Sequence, residues 1–164
     1  RTSVWGTGMS CHSCLLRPKS RGEVTLESAD PFADPLIDPK FLSHPDDVKD
    51  MIDGYKIMMK VLNTEPFSKY IQEHTQRPVD VNDDADIELA IREDADTVYH
   101  PVGTCKMGND DMSVVNNRLK VHNMNNLRVV DASIMPTLVG GNTNAPTIMI
   151  GEKASDMIIE DWNI

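Results

Sequence analysis

An α+β fold with several helices and only a short sheet is what this sequence predicts. Three observations lead there. Apolar residues recur at helical spacing in three separate stretches. Alternating apolar and polar residues occur only in short runs. Between them, "ADPFADPLIDPKFLSHPDD" carries a proline every four to six residues. Each proline removes a backbone donor and biases its predecessor away from helix, so no long element fits there.

The chain has 164 residues, enough for one domain that buries roughly 70% of its unfolded surface. Acidic residues number 26 against 16 basic, a net charge of −10. That balance argues against nucleic-acid binding, which needs a basic stripe. No apolar run reaches the ~18 residues of a membrane-spanning helix. The first residue is Arg1, and "RTSVWGTGMS" has no apolar core of a signal peptide. A piece of a longer protein is the expectation, and the compartment stays open.

Cys11 and Cys14 form a C-x-x-C in "CHSC", and Cys105 makes an odd third. A redox motif needs a strand-to-helix context, and zinc needs two further close ligands. Neither is evident, so the cysteines read as structural or incidental. "RGEVTLES" alternates Val24 and Leu26 with polar neighbours and predicts a short strand. Residues 17 to 45 otherwise read as extended chain with turns. Phe32, Leu36, Ile37, Phe41 and Leu42 call for burial there.

A helix begins at Pro45, with Asp46 or Asp47 as its cap. Val48, Met51, Ile52, Tyr55, Met58, Met59 and Leu62 give it an apolar face. Core packing explains that face more simply than a flexible methionine-rich partner surface. A second helix spans about 83 to 96, with Ile87, Ala90, Ile91 and Ala95 as its stripe. "RLKVH" and "NLRVVD" suggest two short strands joined by the Asn-rich turn "NMNN". A last, largely buried helix starts near Pro146 and carries Ile148, Ile150, Ala154, Met157, Ile158 and Trp162.

Two motifs carry chemistry. "YHPVGTCKMG" places His100 before Pro101 and near Gly103, in a stiff loop. An imidazole exchanges a proton near neutral pH, so His100 is a candidate base. Standing alone, a loop histidine is more often structural. A metal site would need His100 and Cys105 plus two more ligands, and His122, Cys11 and Cys14 qualify by type only. No metal site is assigned. The second motif, "GGNTNAPT", has Gly140 and Gly141 for close backbone approach. Asn142 and Asn144 supply amides, and the helix behind them favours negative charge at its start. Capping by Asn142 or Asn144 is an equal alternative. A base at His100, an amide donor at Asn142 and a helix end favouring an anion suit alcohol oxidation. The residues alone do not select the hydride acceptor.

"YHPVGTCKMG", "RLKVHNMNNLRVVDASIMPTLVGGNTNAPTIMIGEKASDMI" and "LLRPKSRGEVTLESADPFADPLIDP" resemble the C-terminal part of glucose–methanol–choline (GMC) oxidoreductases, above all insect glucose dehydrogenase-like members. The resemblance runs nearly the whole chain, in order. It implies an FAD-dependent enzyme that oxidises CH–OH groups of a small alcohol, sugar or sterol and passes electrons to a quinone or oxygen. A secreted location is compatible with it. By the family pattern His100 is the base and Asn142 its partner. The resemblance implies that Asp131, Ala132, Thr143 and Asn144 contact FAD, mainly through backbone groups. The family's substrate-domain sheet matches residues about 17 to 30. The chain then reads, over 1–164, as the substrate and catalytic portion. Residues about 125–164 would pack against an FAD-binding half that is not in this sequence. Gly6 and Gly8 give only a G-x-G and do not supply the dinucleotide fingerprint. The family usually has Asp at position 116 and Gly at 123, where this chain has Asn116 and Asn123. The alternative is a non-catalytic fragment, or a binding protein that keeps the fold and lacks the flavin half.

Overall fold

The computed structural model describes residues 9–72 and 77–163. Gly6 and Gly8 lie outside the described residues. Among the described residues there are three α-helices and a two-stranded sheet: β1 (Glu23–Thr25), β2 (Leu36–Asp38), α1 (Pro45–Leu62), α2 (Asp84–Asp94) and α3 (Asn144–Trp162). The α+β expectation with a short sheet is borne out. The chain divides into two units. One takes the described residues of Arg1–Leu15 and His44–Asp96, the other Leu16–Ser43 and Thr97–Ile164.

The first unit is a helix pair. α1 starts at Pro45, as expected, but neither Asp46 nor Asp47 is its cap. The His44 ring Nδ1 accepts from the Asp46 amide at 3.2 Å instead. The reason is positional: Pro45 already occupies the first helical turn, so the cap falls one residue earlier. The acids then sit where the helix dipole favours them. α2 is capped by Asp83, whose carboxylate accepts from the Ala85 amide at 2.9 Å. Val48 and Ile52 of α1 are buried, as are Ile87, Ala90 and Ile91 of α2. Met51, Tyr55, Met58 and Met59 are half-buried around them. Ala95, assigned to the stripe, is exposed because the helix ends at Asp94. A shallow hollow lined by Lys56, Met59, Lys60, Asn63 and Val81 belongs to this unit and holds none of the candidate site residues.

In the second unit β1 and β2 pair antiparallel, with Val24 opposite Ile37. Gly22 permits the pairing to begin. A Cβ there would stand 2.2 Å from the Asp38 carbonyl oxygen, so only glycine fits. The expected burial of this segment is not met within the chain. Phe32 is 93% exposed and Ile37 67%, and Leu36 and Phe41 are exposed too. Only Leu42 is half-buried. The reason is that, among the described residues of this unit, neither α3 nor a second sheet is layered on the two-stranded ribbon.

The core of this unit is Val115, Leu119, Ile134, Met135, Ile150 and Ala154. The expected hairpin of "RLKVH" and "NLRVVD" shrinks to one isolated bridge, Lys120 with Arg128, while Val121 bridges back to Val115. Its turn is as read: Asn123 and Asn126 have φ of 60° and 59°, a region asparagine tolerates. Asn116 does what an aspartate would do there. Its Oδ1 accepts from the amides of Arg118 (2.9 Å) and Lys120 (3.1 Å).

Helix α3 is buried on one face only. Ile150 and Ala154 are buried and Met157 and Ile158 half-buried, but Ile148 and Trp162 are each 58% exposed. The expectation of a largely buried helix is corrected accordingly. Its C-terminal turn is clasped by charge. Asp161 pairs with Arg118, Lys120 and Arg128, and Arg118 also reaches Glu160 at 3.1 Å. The Lys120 hydrogen bond, aided by Arg118, holds the Asp161 carboxyl below the usual aspartate range. A depressed folded value means stabilisation present above the unfolded pKa of ~3.9 and lost as pH falls through the folded one. Asp161→Asn is therefore expected to speed hydrogen exchange of the last turn of α3 several-fold near pH 7. The difference should shrink as pH drops below about 4. Equal exchange at pH 7 would show that the clasp holds nothing.

Candidate active site

The loop carrying His100 is bent by backbone that few side chains accept. Tyr99, an exposed non-glycine residue, has φ of 60°, and Gly103 has φ of 87°. The Tyr99 amide donates to Thr97 Oγ1 at 3.0 Å. A Cβ at Gly103 would stand 3.2 Å from the Met135 carbonyl oxygen, in addition to the strain of that φ. The strained residue beside His100 left no signal in the sequence, since tyrosine normally avoids this region.

After the bend the loop is tied to the short 3₁₀ turn Ala132–Ile134. The Cys105 amide donates to the Ser133 carbonyl (3.0 Å) and the Met107 amide to the Ile134 carbonyl (2.8 Å). Asp131 caps that turn, its Oδ1 accepting from the Ser133 amide at 2.7 Å. Its carboxylate is thus engaged locally, while Ala132 is half-buried against the core. Cys105 is half-buried, and Cys11 and Cys14 are exposed; these three thiols are free. His122 is used structurally, its Nε2 lying 3.0 Å from the Gly108 carbonyl. Among the described residues no three His, Cys, Asp or Glu side chains gather as a metal site.

The two motifs meet at a single contact. Thr143 Oγ1 lies 3.0 Å from His100 Nδ1. Thr143 is 7% exposed, and His100 is half-buried. Among the described residues His100 Nε2 has no hydrogen-bond partner. Asn142 and Asn144 flank Thr143, and both are exposed. Neither caps α3. The cap position belongs to Thr143, and no side chain bonds to the first amides there. The Asn144 and Ala145 amides find no acceptor among the described residues. That leaves donors and the positive end of the dipole at the loop surface. A Cβ on Gly141 would meet no atom within 4 Å, so the loop is open on that side. On the other side the Arg17 guanidinium rests against the loop. A Cβ on Gly140 would stand 2.9 Å from its Nη2. Nothing in the spacing of "LLRPKS" marks Arg17 as a neighbour of this loop.

The chain is similar to known proteins over most of its length. A family model described as GMC oxidoreductase matches residues 18–151. An alcohol dehydrogenase [acceptor] of Pseudomonas putida is 51% identical over 94% of this chain and 28% of its own length. An oxygen-dependent choline dehydrogenase of Klebsiella pneumoniae is 43% identical over 92% of the chain and 27% of its own. The chain therefore spans little more than a quarter of the curated relatives it matches. Among solved structures, formate oxidase from Aspergillus oryzae, studied for its FAD modification, aligns with a TM-score of 0.85. That match has 33% identity and covers 90% of this chain and 26% of the oxidase. An FAD-dependent oxidoreductase from Chaetomium thermophilum aligns at 0.84 with 26% identity, over 91% of this chain and 26% of its own. This chain belongs to the GMC oxidoreductase family, and it carries the family's C-terminal domain.

Proposed function

We propose that the whole protein containing this chain is an FAD-dependent oxidoreductase that oxidises CH–OH groups of a small alcohol. The single observation that carries the reading is the Thr143–His100 hydrogen bond. It joins the "HPVGT" and "GGNTN" motifs into one site. His100 takes the hydroxyl proton on Nε2, the nitrogen without a partner among the described residues. Asn142 offers its amide to the substrate oxygen from beside Thr143. FAD, if bound, would supply the acceptor for the hydride of the substrate carbon.

The residues fit such a cofactor. The uncapped start of α3 offers two unpaired amides and a dipole suited to a ring that gains negative charge. Asn144 and Thr143 lie at that helix start, and Asp131 with Ala132 at the 3₁₀ turn behind the His100 loop. These four are the cofactor contacts in this reading. The exposed apolar face of α3, with Ile148, Ile159 and Trp162, supports packing of residues about 125–164 on the flavin-binding part. The substrate class includes sugar hydroxyls, and the electrons pass on to a quinone or oxygen.

Anaerobic mixing of the full-length protein with primary alcohols and sugars tests the reading. Loss of the visible absorption of oxidised flavin is expected with at least one of them. A purified full-length protein that binds no FAD would favour the alternative, a binding protein that keeps the fold.

A further inference from the structure

We propose that Thr143 is the positioning residue for His100: its hydroxyl accepts the Nδ1–H and holds the ring in the tautomer whose Nε2 carries no proton. This rests on the reading of His100 as the base. Three features of Thr143 point to it. Its Oγ1 lies 3.0 Å from His100 Nδ1. It is 7% exposed, so water does not compete freely for that bond. And it stands at the cap position of α3 without capping. A threonine there normally gives its oxygen to the helix amides; here the oxygen is turned to the histidine. The backbone is held in place as well, since the Thr143 carbonyl accepts from the Thr147 amide (3.0 Å) and hydroxyl (2.6 Å).

The chemistry selects the direction of the bond. A hydroxyl can donate or accept, and a neutral imidazole carries one ring proton. If Thr143 donated to Nδ1, the ring proton would sit on Nε2 and that nitrogen could not take another. With Thr143 accepting, the Nε2 lone pair is free. When Nε2 takes the substrate's hydroxyl proton, the Nδ1–H···Oγ1 bond remains and becomes charge-assisted. Thr143 neither gains nor loses a proton in that step. A second ring partner that fixes tautomer and orientation is the usual arrangement for a working histidine.

The test uses the full-length holoenzyme with Thr143→Val, which keeps the shape and deletes the hydroxyl, and Thr143→Ser, which restores it. Histidine ring ¹⁵N signals, assigned to His100 by their loss in His100→Gln, report the tautomer directly. Wild type and Thr143→Ser are expected to show the Nδ1–H form, and Thr143→Val a shift toward Nε2–H. In parallel kcat should fall about 10–100-fold in Thr143→Val with KM little changed, and recover in Thr143→Ser. An unchanged tautomer, or a kcat within twofold of wild type in Thr143→Val, overturns the positioning role. So does a serine variant as impaired as the valine one. The two failures are separable. If His100→Ala keeps more than a tenth of turnover, the base reading falls. If His100→Ala is crippled and Thr143→Val is not, only the positioning role falls.

Discussion

Replacing His100 with alanine in the full-length flavoprotein should lower turnover about 10²–10⁴-fold with flavin still bound, the range for loss of a positioned general base. Retention of flavin is part of the expectation. The proposed cofactor contacts lie at the start of α3 and at the 3₁₀ turn, and of these only Thr143 touches the imidazole. The ring's contact with Thr143 is one hydrogen bond, so its removal should cost little structure. The loss should fall on kcat as well as on kcat/KM, because proton removal belongs to the chemical step. A decrease of less than tenfold in a variant with full flavin content would end the assignment of His100 as base.

Ile134→Ala should be strongly damaging although it lies away from the chemistry. Ile134 is 4% exposed, inside the core with Val115, Leu119, Met135, Ile150 and Ala154. Its own carbonyl receives the Met107 amide, and its neighbour's receives the Cys105 amide, so the His100 loop hangs from this turn. Truncation leaves a cavity and costs about 2–5 kcal/mol of local stability. Hydrogen exchange of the Cys105 and Met107 amides would register that cost. Protection weakened by less than about 1 kcal/mol would mean that the turn is held by something other than its side chain. Turnover should fall too, since a base misplaced by a fraction of an ångström loses its geometry.

How much of this could be read from residues alone differs from place to place. Helix α2 was legible because Asp83 does the work of a cap in the expected way. The start of α1 was legible, but its cap was not, because a histidine ring seldom takes that role. The Asn-rich turn was legible from the tolerance of asparagine for positive φ. Tyr99 was invisible for the opposite reason: nothing in a tyrosine announces a left-handed backbone, which only its surroundings impose. The apolar residues of the β1–β2 segment were legible as residues that call for cover. What covers them depends on neighbours in space, and α3, the helix of the same unit, does not do so.

The sequence by itself determined which chemical groups are present, His100, Asn142 and the glycines beside it, and their order along the chain. Motif residues report chemistry because few side chains can move a proton near neutral pH or admit close backbone approach. Only the tertiary structure decided that Thr143, 43 residues from His100, meets its ring and leaves α3 uncapped. A hydroxyl bonds equally well to a helix amide or to an imidazole. Which one it takes is settled by which acceptor or donor the packed core brings within 3 Å.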